Sequence, residues 1–430
     1  MAVLSSKLAK TALKLPWSTA VLDLERNALK PEPEHPSLSL HLFMEMEPLE
    51  AEWRALEAAQ ECSIHQSYDW CRLWQSCSDY APRIVVARFS TGLARPDTAF
   101  ILPLTIERQG PVKVARYIGG RFNRINFGAF ATRFLDLVSP ALMIDIQRQI
   151  AALPLGADIV LLDRQPQRWH GITHPLSRLP HLRNRGHGFQ IALQGGPEAV
   201  IERIATAARW DGLDTEALRL DRPGNGTYLR AKTREEAQAL LETFFRQASV
   251  RSNLYGTANR FASGETQAAL HRLAEDSIGK HRKTIEMHAI RLSDGSIGAL
   301  LALSRKGRHV TWQFSSVDGE TLLSGPGLTL MAHAIRSACD TGATVFDFGA
   351  GHQPFRQSWC DMETAYQDTV IPITALGRMA AATIRMPIGG KRPFGVRPTP
   401  VPPAVTGRQV PGLIRHGDPD RVARFRRRDS

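Results

Sequence analysis

Two short stretches of this 430-residue chain have residue types and spacing suited to chemistry: Ser324-Gly325-Pro326-Gly327, and Asp347 to Arg356 in the phrase VFDFGAGHQPFR. The first joins the end of a strand-like run to the start of a helical one. At such a junction free backbone N–H groups and the positive end of the helix dipole converge, which favours a phosphate or diphosphate. Pro326 has no N–H, so the donors are Gly325, Gly327, Leu328 and Thr329, with the Ser324 hydroxyl beside them. A tight turn capped by Ser324 accounts for the same residues equally well.

In the second stretch Asp347 stands between Phe346 and Phe348 near a strand end, where apolar neighbours raise a carboxyl pKa toward values useful in a general base. A structural carboxylate that caps a turn or pairs with an arginine is the competing reading. His352 follows Gly349-Ala350-Gly351 and is the one histidine of this cluster, an imidazole suited to proton transfer or simply a loop residue. Arg356 offers a planar fork of donors to a carboxylate or phosphate, and its permanent charge rules it out as a base. Cys360 lacks an identifiable activating base in sequence and reads as a packed thiol. The 14 histidines are scattered, with no HExxH and no paired CxxC, so no metal is expected. No Gly-x-Gly-x-x-Gly or GxxxxGK[ST] loop occurs, which argues against dinucleotide or ATP chemistry.

These residues depend on the elements around them. Three strand-like runs, Ile285 to Leu292, Ile297 to Ser304 and His309 to Ser316, are joined by Ser293-Asp294-Gly295-Ser296 and Arg305-Lys306-Gly307-Arg308. Connections this short make an antiparallel meander. Trp312 and Gln313 alternate on the third run, so one packs and the other faces a cleft. The helix after Gly327 sets Leu328, Met331, Ala332, Ile335 and Cys339 on one face, and Gly342 ends it before the strand Thr344 to Phe348. Ahead of the meander, helices are expected from Arg234 to Gln247 and from Glu265 to Ile278.

The first half has the same order in weaker form. A strand at Ser39 to Phe43 and helices at Met46 to Ala59 and Ser67 to Cys77 precede strands at Arg83 to Phe89, Ala99 to Ile106 and Ala115 to Ile118. Ser139-Pro140 opens a helix to Ala152, and the strand phrase LGADIVLLD follows, echoed by TGATVFDFGAG in the second half. Two copies of strands, helix, strand indicate a duplication.

The ordered set of meander, SGPGLTLMAHAIRSA, TGATVFDFGAG and PFRQSW resembles the C-terminal half of the CelD-type cellulose-biosynthesis acetyltransferases, a branch of the GNAT superfamily related to Fem-type transferases. A weaker likeness, from HQSYDWCRLW through AFILPLTIER to ADIVLLD, extends it over roughly Ser39 to Thr374. The resemblance implies an α/β (α+β) chain of tandem GNAT-like folds, each a mixed, largely antiparallel sheet flanked by helices. It also implies acetyl-CoA as acyl donor, held between splayed strands of the second copy. Phe314, Ser315, Ser316 and Val317 would then bond the pantetheine arm, and Ser324, Gly325, Gly327 and Leu328 the diphosphate. Asp347, His352 and Arg356 would act near the thioester. The family's usual aromatic-lysine pair after the last strand is Phe355-Arg356 here, which preserves anion binding and removes any lysine-dependent step. The acceptor suggested by the family's name is a sugar or polysaccharide precursor. A Fem-like aminoacyl transfer, or an inactive scaffold in an envelope-polysaccharide system, are the alternatives.

Domain organisation follows: a leader or linker over 1–37 closed by Pro31, Pro33 and Pro36, a first, degenerate GNAT-like unit over 38–194 with a scaffold or acceptor-binding role, a second over 195–375 with the acyl-CoA site, and a basic tail over 376–430. The tail holds twelve Lys and Arg against three Asp and Glu, most of the formal +12 charge, together with eight prolines. It reads as a solvated appendage suited at most to an anionic partner, and a nearly neutral body gives no groove for a specific nucleic acid. No apolar run has the length to span a bilayer, Lys7, Lys10 and Lys14 interrupt any signal-like segment, and five cysteines form no framework. A cytoplasmic protein is expected.

Overall fold

The computed structural model describes residues 38–89, 98–179, 181–211, 215–218, 226–318, 325–350 and 354–385. In chain order the first half contains β1 (Leu38–Phe43), α1 (Glu50–Ala59), α2 (Tyr68–Gln75), β2 (Arg83–Phe89), β3 (Thr98–Gln109), β4 (Val112–Tyr117), α3 (Thr132–Leu137), α4 (Pro140–Ala152), β5 (Ile159–Pro166), a small hairpin of β6 (Arg168–Trp169) and β7 (Ile172–Thr173), and β8 (His181–Ala192). The second contains α5 (Gly196–Trp210), β9 (Thr227–Arg230), α6 (Arg234–Leu254), α7 (Gly264–Asp276), β10 (Lys283–Arg291), β11 (Ile297–Lys306), β12 (His309–Val317), α8 (Gly325–Asp340), β13 (Val345–Ala350), α9 (Pro354–Trp359), β14 (Met362–Pro372) and α10 (Ala375–Arg385).

Local chemistry explains the boundaries. Ser139 caps α4 by accepting from the Leu142 N–H, with Pro140 in the first turn. The turn between β10 and β11 has Gly295 at φ +84° and the Asp294 carboxylate accepting from Ser296 N–H. Gly156 (φ +71°) and Gly342 (φ +75°) occupy matching left-handed positions ahead of β5 and β13, so the repeated Gly-Ala entry has a backbone reason.

All strands except β6 and β7 join one twelve-stranded sheet in the order β1-β2-β3-β4-β5-β14-β8-β13-β12-β11-β10-β9. The two halves are mirrored in order, with an antiparallel meander at each outer end. At the centre they exchange strands. β14, from the second half, pairs antiparallel with β5, and β8, from the first half, pairs antiparallel with β13. The units expected over 38–194 and 195–375 are thus interleaved at their junction.

They also share a core. Trp53, Trp70 and Trp74 from α1 and α2 pack in one cluster with Leu240 and Phe244 of α6, Leu270 and Leu273 of α7, and Phe314 of β12. Asp69 of α2 receives Arg282 at 2.6 Å across the same boundary. On the opposite face of the second half, α5 and α8 cover Trp312, Phe346 and Phe348.

The tail boundary requires a correction. Residues 375–385 form α10, whose Ala380, Ala381 and Ile384 are buried against Val112, Val114, Ile159, Leu161 and Val370. The proline-rich, arginine-rich composition that suggested a tail from 376 begins in earnest only after this helix. The leader over 1–37 and residues 386–430 lie outside the described residues. All five cysteines are free thiols, and among the described residues no helix is long and apolar enough to cross a membrane.

Candidate active site

Each half has a place where two parallel strands part. In the first, β4 and β5 pair only at Val114↔Ile159 and Ala115↔Val160. The opening beyond is filled by the chain itself: Asn126 N–H donates to Arg164 O at 3.0 Å and Asn126 Nδ2 to Asp163 O at 2.8 Å. In the second, β12 and β13 pair only at His309↔Val345, Val310↔Phe346 and Thr311↔Asp347. Past Thr311 the backbone of β12 has no β13 partner among the described residues, which leaves main-chain donors and acceptors available to an extended ligand. A bulge on β12 opposite Ala302/Leu303 turns Gln313 toward the first half.

The residues expected to hold the donor are ordered along this opening. Phe314, Ser315, Ser316 and Val317 form the end of β12; Phe314 packs against Phe244 at 4.3 Å between ring centroids, and the Ser316 hydroxyl donates to Gln247. Gly325, Gly327 and Leu328 lie in the first turn of α8, with Gly325 at φ +42°. The Thr329 hydroxyl ties this turn down by donating to Ala217 O at 2.9 Å. Ser324 lies outside the described residues, as does His352.

Asp347 sits where the strands part, and it is fully buried. Its carboxylate accepts from His309 Nε2 at 3.1 Å, Gln190 Nε2 at 2.9 Å and Gly349 N–H at 2.5 Å. Burial pushes a carboxyl pKa up, but here the hydrogen bond and charge of His309, with the bonds from Gly349 and Gln190, outweigh it and hold Asp347 below its ordinary value. The expectation of a raised pKa on Asp347 is therefore corrected: phenylalanines flank it in sequence, but its own face of the sheet is polar. Asp347 is an ionised acceptor, and the better base is its partner. In its neutral form, with Nε2–H committed to Asp347, His309 has a bare Nδ1 lone pair that is buried and has no hydrogen-bond partner. The imidazole lies against the β6–β7 hairpin, with Trp169 at 4.5 Å and His170 at 5.4 Å between ring centroids. Burial and the His309 charge both push the His170 pKa down.

Arg356 is on α9, buried, with Nη1 donating to Ala350 O at 3.2 Å. Burial and the charge of Arg124 push it down to about 9, which still leaves it protonated at neutral pH. Arg124, from the first half, also donates to Ala350 O, at 3.0 Å, and to Phe348 O at 3.1 Å. The structure thus brings Asp347, Arg356 and the β12 residues to one opening. It adds His309, Arg124 and Gln190, which no local pattern in sequence marked. His65 lies close by, but its Nδ1–H donates to Ile125 O and its Nε2 accepts from Gln313 and Arg124 N–H. Burial pushes its pKa down to about 3, so it is a neutral strut. Burial also pushes the Cys360 thiol up, in keeping with a packed residue. Among the described residues no group of three or more His, Cys, Asp or Glu side chains could hold a metal ion.

Comparison with known proteins places this geometry. Residues 212–357 match the acetyltransferase (GNAT) domain family. No curated protein sequence matches the chain. Among solved structures, FemX aligns with a TM-score of 0.53 at 11% identity, over 79% of this chain and 99% of its own. L-PGS from Bacillus licheniformis gives a TM-score of 0.39 at 11% identity, over 79% and 96% of the two chains. A tandem GNAT protein from the clavulanic acid biosynthesis pathway gives 0.39 at 12%, over 79% and 100%. The likeness to FemX is one of fold. Residues 212–357 thus match a GNAT-type acetyltransferase domain, set within a mixed, mostly antiparallel sheet flanked by helices.

Proposed function

We propose that the protein transfers an acyl group from acyl-CoA, with acetyl as the natural first choice, to an amine or hydroxyl acceptor. The observation that carries this reading is the parting of β12 and β13 at Thr311↔Asp347, with the Asp347–His309 pair at its apex and the first turn of α8 following β12. The pantetheine arm is assigned to Phe314, Ser315, Ser316 and Val317, and the diphosphate to the N–H groups of Gly325, Gly327 and Leu328. The acceptor's proton passes, through one bridging water, to His309 Nδ1 as its nitrogen or oxygen attacks the thioester carbonyl carbon. The C–S bond then breaks, and the thiolate takes up a proton from His309. Asp347 holds the imidazole in the tautomer that this requires. Arg356 and Arg124 keep the end of β13 in place, and His352 stands as a second candidate for proton transfer. The filled opening of the first half supports a scaffold and acceptor-binding role for that unit. A sugar or polysaccharide precursor as acceptor rests on the CelD-type resemblance alone.

Thiol release from acetyl-CoA, measured across a panel of amino sugars, amino acids and amines, tests the reading. Turnover with at least one acceptor is expected. Binding of CoA without turnover of any acceptor would favour the scaffold alternative, and transfer from an aminoacyl ester but not from the thioester would favour the Fem-like one.

A further inference from the structure

A group of arginines collects beside the opening, contributed by three separate elements. Arg121 and Arg124 lie on the loop after β4, whose tight course is set by Gly119 (φ +88°) and Gly120 (φ +47°). Arg164 lies within β5 at φ +52°, and its Nη1 donates to Arg121 O at 3.0 Å and also to Asn123 O. Arg260 comes from the connection between α6 and α7. Its guanidinium lies 5.8 Å from the Phe122 ring and 4.7 Å from Phe261, while Arg121 lies 5.6 Å from Phe122. Phe122 is stacked on Trp74 at 5.0 Å, so the platform beneath the charges is part of the core.

The carboxylates nearby are already committed. Asp163 takes Arg116 at 3.7 Å and Arg164 at 3.1 Å, Glu107 takes Arg116 at 3.7 Å, Asp368 accepts from the Arg164 backbone N–H, and Asp347 takes His309. Among the described residues Arg121, Arg124 and Arg260 have no carboxylate partner. Arg124 Nε is buried and without a hydrogen-bond partner. Burial first, and then the charges of Arg124, Arg164 and Arg121, push Arg260 down to about 9. Holding several guanidiniums half-buried on rigid aromatic and carbonyl supports is costly unless an anion completes the site.

We propose that Arg121, Arg124, Arg164 and Arg260 bind a phosphoryl group, a phosphate or diphosphate ester, carried by the acyl acceptor. This deepens the acyl-transfer reading and rests on it for the word acceptor. A diphosphate matches the site better than a single carboxylate, because its charge and its spread of oxygens answer several forked donors at once. The site is distinct from the one assigned to the donor's diphosphate. The first turn of α8 packs on the face of β12 that carries Trp312, whereas the arginine platform belongs to the face that carries Phe314.

The test uses the full chain and inorganic pyrophosphate as probe, titrated calorimetrically with and without saturating CoA. Pyrophosphate is expected to bind the CoA complex. Arg260→Gln should weaken it by about tenfold, the loss of one charge-assisted contact, and Arg260→Lys by less, with CoA affinity and thermal midpoint unchanged in both. Equal pyrophosphate affinity in the parent and Arg260→Gln would overturn the site. Expulsion of pyrophosphate by CoA, with Arg260→Gln weakening CoA in step, would overturn the assignment to the acceptor. If CoA does not bind at all while the Arg260 dependence of pyrophosphate persists, the acyl-CoA reading fails and the phosphoryl site stands.

Discussion

Replacing Asp347 with Asn leaves volume and shape nearly constant, removes the carboxylate's charge and reverses the direction of a hydrogen bond. In the parent, Oδ1 accepts from Gly349 N–H and Oδ2 from both His309 and Gln190. The Asn oxygen must stay on Gly349, so its NH2 takes the place of Oδ2. Gln190 meets it by turning its amide over. His309 meets it only by moving its own proton to Nδ1, which leaves Nε2 as acceptor and abolishes the lone pair assigned as base. Loss of a positioned base costs about 10²- to 10⁴-fold in kcat, with the tautomer-trapping case at the upper end. Stability should fall by only about 1–3 kcal/mol, since the hydrogen bonds can be remade. The folded state holds Asp347 below its ordinary pKa, so its contribution to stability is complete above about pH 4 and is lost as pH falls through the folded value. The gap in thermal midpoint between parent and Asp347→Asn should therefore narrow on acidification from about pH 5 toward pH 3. Thiol release gives kcat, and 15N spectra of the imidazole report the tautomer without any knowledge of the acceptor. A variant with parental kcat, or a His309 tautomer unchanged by the substitution, would refute the dyad.

Ending the chain after Thr374 should cost about 3–5 kcal/mol from the exposed Ile384, Ala380 and Ala381 contacts, a fall of several degrees in thermal midpoint, whereas ending it after Arg385 should leave the midpoint near that of the full chain. Gly377→Ala should reproduce much of the first loss, because a Cβ there runs into the backbone carbonyl of Asp158; an unchanged midpoint in both would show that α10 does not dock. Gly327→Leu, in the buried first turn of α8, should weaken CoA binding by about tenfold in a still-folded protein, and unchanged calorimetric affinity would remove the diphosphate assignment.

The parts of the fold that were legible in sequence are those whose signals are local. The meander was announced by Gly295 and Gly307, both at positive φ in short turns, and α4 by its Ser-Pro cap. The two exchanged strands were not legible. β14 carries Gln367, Asp368 and Thr369, all buried, and two of them meet polar groups on β5: Thr369 donates to Gln165 and Asp368 accepts from Arg164 N–H. Partners two hundred residues away erase the alternation that identifies a strand. β8 has Arg183, Arg185, Gly186 and Gly188 in its run, which breaks the apolar alternation of a strand. The site divides along the same line. Asp347 was conspicuous in its phrase, but the residue that sets its chemistry is 38 positions away, at the start of a neighbouring parallel strand.

The exchange changes what the first unit is for. Gln190, which bonds the Asp347 carboxylate, sits on β8; His65 and Arg124, which brace Gln313 and the end of β13, come from the loops of the first half. Asp347, Gln313 and the Phe348 and Ala350 carbonyls of the second unit thus each have a partner supplied by the first. The sheet runs unbroken through this junction, and the aromatic core spans it, so a shift of one unit against the other would disturb Asp347 before it disturbed either meander. The first unit's own opening is filled by Asn126, and in the acyl-transfer reading proposed above that unit builds one wall of the other's opening. The strand exchange thus leaves one opening lined from both halves, and Arg124 stands where the two halves touch.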